Sequence, residues 1–169
     1  VSFEPRVLIR YTLVEAHSPT TLRLKPYLAF RSVHELAKEN ADANSDMREV
    51  ENGPANRMYA AYPELFMQCS KKVEYTHAPT WYKDIQYYKE EERGFDYKED
   101  QLVPGWFELP MKKGESVIFS AGISEVNTKT LKTLWNKELE RRGTREDMFT
   151  CLKIAAQQFY KREGDKCYL

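Results

Sequence analysis

RVLIRYTLVE, residues 6–15, is rich in β-branched side chains and places Val7, Ile9, Tyr11 and Leu13 on one face of an extended strand. His17-Ser18-Pro19-Thr20 then reads as a turn, because each of these residues either fixes or locally bonds the backbone. A second extended segment runs from Thr21 to about Ser32, with Leu22 and Leu24 alternating before Pro26. Residues 33–56 are polar and carry Asn40, Asn44, Asn52 and Pro54, so a long loop is expected, with one helical turn at 34–39. Strand signals return at 57–62, 65–70, 72–77, 82–88, 106–111 and 116–121, with a charged loop over 89–105. Short strands at close spacing, punctuated by Pro and Gly, predict a mainly β protein, an antiparallel β-sandwich.

After Gly122 the period lengthens from about 2 to 3.6. Leu131, Leu134, Trp135 and Leu139 share one face of a helix over about 128–142, which Gly143 stops. Thr144-Arg145-Glu146-Asp147 resembles a capping box for a second helix, about 145–161, with Met148, Cys151, Leu152, Ala155 and Phe159 on one face. The predicted organisation is a β-sandwich over residues 1–125 and a helical hairpin or linker over 126–169.

The composition narrows the function classes. The 169 residues hold Lys+Arg 26 against Asp+Glu 26, so no net basic charge draws the chain to nucleic acid. No apolar run approaches the roughly 18 residues of a membrane span, and no signal peptide is visible. Cys69, Cys151 and Cys167 lie far apart and form no C-x-x-C pair, which fits thiols in a reducing, cytoplasmic setting. The chain starts on Val1 and ends on Leu169 directly after Cys167-Tyr168, so a piece of a longer protein is expected.

Motifs for catalysis are missing. His17, His34 and His77 sit in separate segments without metal-ligand spacing, and there is no nucleophile elbow and no glycine-rich phosphate loop. No catalytic residue, metal or cofactor follows from the residues alone. Glu90, Glu91, Glu92, Asp96, Glu99 and Asp100 crowd one stretch, but Lys89, Arg93 and Lys98 are at hand to pair them, and Arg93 is expected to order the loop. Trp81-Tyr82, Tyr87-Tyr88, Tyr97 and Trp106-Phe107 flank or punctuate that stretch. Flat rings beside carboxylates and arginine suit a sugar, whose apolar C–H face stacks while its hydroxyls hydrogen-bond. Tyr87 and Phe107 read as core; Trp81 stands open between core and stacking platform. The candidate substrate contacts are Trp81, Tyr82, Glu91, Arg93, Asp96 and Trp106.

Two strings go further: LRLKPYLAFRSVHELAKEN at 22–40 and WYKDIQYYKEEERGFDYKEDQLVPGWFE at 81–108. They resemble the N-terminal domain of prokaryotic-type glycogen debranching enzymes, the amylo-α-1,6-glucosidases. The resemblance rests on Phe30, Arg31, His34 and Asn40, then Trp81, Tyr82, Tyr88, Glu91, Arg93-Gly94-Phe95-Asp96, Glu99-Asp100 and Pro104-Gly105. It extends to Ala155, Ala156, Gln158 and Phe159 and to Lys161-Arg162-Glu163-Gly164, the lead-in to the family's catalytic (α/α)6 barrel. Phe95 where the family has Tyr, and Gln101-Leu102 where it continues with a leucine directly, are departures. The resemblance implies a β-supersandwich set against a barrel absent from this chain, with the acid and base carboxylates in that barrel. It implies an α-glucan partner (glycogen, limit dextrin or maltooligosaccharide), removal of α-1,6-linked glucose stubs by the whole enzyme, and no membrane or nucleic-acid partner. A free-standing carbohydrate-binding module and a purely structural or docking sandwich are the alternatives.

Overall fold

The computed structural model describes residues 5–143, 147–163 and 166–168. They divide into two compact units, Val1–Lys132 and Thr133–Leu169. The first holds strands β1 (Arg6–Thr12), β2 (Thr20–Leu24), β3 (Arg48–Val50), β4 (Gly53–Asn56), β5 (Leu65–Cys69), β6 (Glu74–Gln86), β7 (Lys98–Met111) and β8 (Ser116–Gly122), with a short helix α1 (Tyr88–Glu92) between β6 and β7. Every strand pair is antiparallel. One sheet has the order β1-β8-β5-β4-β3 and the other β2-β7-β6. The mainly β, antiparallel architecture read from the alternation is the one observed.

The core lies between the sheets because each contributes one apolar face. Met67, Cys69 and Val117 come from the five-stranded sheet, and Leu102, Phe107, Leu109 and Met111 from β7 in the other. Phe107 meets Tyr75 and, across the core, Phe119, both edge-to-face at 5.0 and 5.4 Å. Such pairs add about 1 kcal/mol beyond the area they bury. Tyr11 on β1 and Leu13 just after it pack against this core, while Val7 and Ile9 on β1 stay exposed. Gln68, fully buried on β5, donates to the Glu51 and Val126 carbonyls and accepts from the Val126 amide, so a buried polar side chain finds all its partners.

The strand boundaries depart from the local signals. The expected strand at 57–62 is a turn region with Met58 buried beneath it. The expected loop 33–56 carries the β3–β4 hairpin, turned by Asn52 at φ 54, and forms no helix at 34–39. The segments 72–77 and 82–88 merge into β6, with register shifts at 77–80 and 82–85. Most unexpectedly, the second half of the charged loop is strand: β7 begins at Lys98, and Glu99 and Asp100 are buried in it.

Asn127 caps a 3-10 turn that runs into α2 (Leu131–Arg142), and Gly143 at φ 62 ends it, as the helical period indicated. Leu131 is fully buried. In the second unit α3 (Met148–Ala156) is shorter than expected. Asp147 caps it by accepting from the Thr150 amide at 2.8 Å; the remainder of the capping box, 144–146, lies outside the described residues. A 3-10 turn follows, and then β9 (Lys161–Glu163) pairs antiparallel with β10 (Lys166–Tyr168), just beyond the expected end of the helix. No described helix is long and apolar enough to cross a membrane.

Candidate functional site

The site begins with one buried carboxylate. Glu99 is 0% exposed, one residue into β7, where an ionised group survives only with partners. It has four. The Arg31 guanidinium bonds it through Nε, the Tyr87 hydroxyl donates at 2.5 Å, the Ala37 amide at 3.1 Å and the Gln101 amide at 2.9 Å. Burial pushes its pKa up, but these donors outweigh burial and hold it down at about 2. The same contact raises the pKa of Arg31, and it raises that of Tyr87, whose hydroxyl is more useful to Glu99 protonated.

Asp100 next to it fastens the other side. It accepts from the Asp84 amide at 2.9 Å and the Glu39 amide at 3.1 Å, which lowers its pKa. Asp84 sits at φ 55 in the second irregularity of β6, so the bulge turns its amide toward Asp100. The Asp100 amide in turn donates to the Ala37 carbonyl at 2.8 Å. Two adjacent carboxylates thus tie the 31–39 loop to the β6–β7 hairpin.

Between that loop and the hairpin tip lies a cleft of about 1130 Å³. Arg31, Val33, His34 and Leu36 line one wall, and Tyr87, Tyr88, Phe95 and Asp96 the other. Tyr88 is 64% exposed and Phe95 56%, large rings turned to solvent. Charge around the cleft is largely matched within the protein: Arg31 by Glu99, Lys89 by Glu92 at 2.7 Å, and Glu90 by Arg93 at 3.2 Å. Arg93 also lies over the Phe95 ring at 5.0 Å.

The predicted contacts separate into three groups. Asp96 lines the cleft; Arg93, paired with the cleft residue Glu90, stands beside it, and Glu91 is exposed on α1. Tyr82 and Trp106 come together elsewhere, around Lys25, which bonds the Tyr82 hydroxyl at 3.0 Å, lowers its pKa and lies 5.8 Å from the Trp106 ring. Arg23 covers Trp106 at 5.3 Å while forming a two-pronged bond with Glu108, and Trp106 donates to the same carboxylate at 3.0 Å. Trp81 packs against the core. The alternation left Arg31, His34, Tyr87 and Tyr88 out of the site. Three of those four, Arg31, His34 and Tyr88, were already among the residues on which the family resemblance rests. Tyr87, expected in the core, has its hydroxyl on Glu99 instead. Among the described residues, no group of three or more His, Cys, Asp and Glu side chains could hold a metal ion.

No curated protein and no solved structure matches the chain. A family model described as the glycogen debranching enzyme N terminal matches residues 1–118, which takes in β1 to β7, the twin-carboxylate tie and the whole cleft. The chain therefore belongs to the glycogen debranching enzyme N-terminal family.

Proposed function

We propose that the chain is the non-catalytic N-terminal part of a glycogen debranching enzyme, and that its cleft takes a segment of α-glucan beside a catalytic barrel lying outside this chain. In this reading residues 1–125 are the glucan-facing sandwich and 126–169 lead toward the barrel. The acid and base that cleave the α-1,6 bond belong to the barrel, and the protein works in the cytoplasm.

One observation carries the reading: the cleft exposes Tyr88 and Phe95 next to Asp96 while its charged neighbours are largely paired within the protein. Exposed rings offer stacking surface, carboxylates accept hydroxyl protons, and matched charge favours a neutral polyol over a phosphate or a nucleic acid. A second reading puts sugar on Trp106. Arg23 and Lys25 both lie against that ring, where Tyr88 and Phe95 each carry a single cation, Lys89 and Arg93.

Calorimetric titration of the chain with maltoheptaose tests both. Calorimetry suits the question because no tryptophan lines the cleft. Saturable binding that is lost in Phe95→Ala and kept in Trp106→Ala supports the cleft. Loss in Trp106→Ala alone moves the site to the sheet surface, and a flat titration removes the glucan reading.

A further inference from the structure

Two cleft groups, Arg31 and Tyr87, are held by a residue that does not itself line the cleft. Glu99 grips Arg31 through Nε and more loosely through Nη2 at 3.4 Å, and grips the Tyr87 hydroxyl at 2.5 Å. A third bond from Arg31, Nη1 to the Ser32 carbonyl at 3.0 Å, completes the seating of the guanidinium. A guanidinium has five N–H groups in a rigid plane. Three are used in these bonds, and two remain on a side chain still 22% exposed. Left alone, arginine and tyrosine side chains in a cleft sample many rotamers, and a ligand that uses them must first order them. That ordering is an entropic cost set against binding for each rotamer-rich side chain.

We propose that Glu99 is a positioning residue of the glucan cleft: it fixes the Arg31 guanidinium so that its two remaining N–H groups stand ready for neighbouring sugar hydroxyls, and fixes the Tyr87 ring beside them. The proposal rests on the cleft being the glucan site, and it assigns the specificity of that site to a buried carboxylate that never meets the sugar. Vicinal hydroxyls of a pyranose match the spacing of two guanidinium N–H groups, as carboxylate oxygens do. Gln101 belongs to the same assembly, donating to Glu99 and, at 3.2 Å, to the Tyr87 oxygen.

The test is a double-mutant cycle in maltoheptaose affinity, with Glu99→Gln, Arg31→Ala and the pair, each checked for a wild-type circular dichroism spectrum. Glu99→Gln keeps the shape, but it exchanges one acceptor oxygen for an NH2 donor and loses the charge that seats Arg31. The expected result is a five- to thirty-fold weaker Kd in Glu99→Gln, and a clearly smaller loss on adding Glu99→Gln to Arg31→Ala, where only the Tyr87 ring is left to unseat. A merely structural role would weaken both backgrounds equally, and that additivity overturns the proposal. Unchanged affinity in folded Glu99→Gln overturns it too. The Arg31 Nε–H resonance of ¹⁵N-labelled protein provides a ligand-free check. It is expected to be visible at neutral pH in the wild type and lost in Glu99→Gln; rapid exchange in the wild type counts against a fixed guanidinium. A flat wild-type titration removes the glucan reading of the cleft. Wild-type binding with an indifferent Glu99→Gln removes only the positioning role.

Discussion

Glu99 has the most consequential side chain in the molecule, and its behaviour with pH follows from its surroundings. Its pKa falls from an ordinary 4.5 to about 2 on folding. The folded state therefore binds the proton more weakly than the unfolded chain does. The resulting stability is fully present above about pH 4.5 and disappears as the pH falls toward 2, an effect of roughly 3 kcal/mol. In urea unfolding, the gap between wild type and Glu99→Gln is expected to be widest at pH 6 and to close by pH 2. A gap independent of pH would mean that the charge is not its source. Arg93 behaves differently. The sequence led us to expect it to order the charged stretch, yet its side chain is 63% exposed and meets only a half-exposed Glu90 and the Phe95 ring. Exposed pairs of this kind contribute little, so Arg93→Ala is expected to move Tm by no more than about 2 °C in a thermal melt. The ordering comes from Glu99 and Asp100 instead.

The hairpin β6–β7 is the element on which the site is built, and Gly105 is its tightest point. A Cβ at Gly105 would stand 2.0 Å from the Thr76 carbonyl oxygen and 2.9 Å from the Tyr75 hydroxyl, and its φ of 155 is one that other residues rarely adopt. Backbone cannot yield to a methyl group there without opening the ladder beside the first register shift. Gly105→Ala is expected to destabilise by about 3 kcal/mol, read as a lower urea midpoint, and to loosen the cleft with it. At the other end of the first unit, Leu131 anchors the start of α2 at 0% exposure. Leu131→Ala is expected to cost about 3 kcal/mol by cavity formation; a loss below about 1 kcal/mol would mean that the helix start repacks freely.

For the whole molecule, zero net charge and cleft cations that are paired within the protein make a prediction about the partner. Affinity for a neutral glucan should change less than about two-fold between 50 and 500 mM NaCl, because there are no counterions to release. A steep salt dependence in the same titration would point to an anionic ligand. Much of the fold was legible in one dimension. The alternation of Tyr11 and Leu13, the switch to a helical period at Leu131 and the stop at Gly143 are local signals, and local rules read them. The family, too, was legible, in the strings around Arg31 and Arg93. The site was legible only in part. Polarity made Glu99 and Asp100 look like loop residues, because the partners that permit a carboxylate inside a strand stand 62 and 68 residues away at Ala37 and Arg31. The separation of Trp81 from Tyr82 likewise depended on which side of β6 each ring emerges, and Trp106 joins Tyr82 only through Lys25. The sequence by itself determined the antiparallel β character, the switch to helix near Leu131 and the family, since each depends on residue type and near-neighbour spacing. Tertiary structure alone decided which carboxylates are buried, which rings meet solvent and where the cleft opens, since desolvation and hydrogen-bond partnership are properties of segments brought together from far apart in the chain.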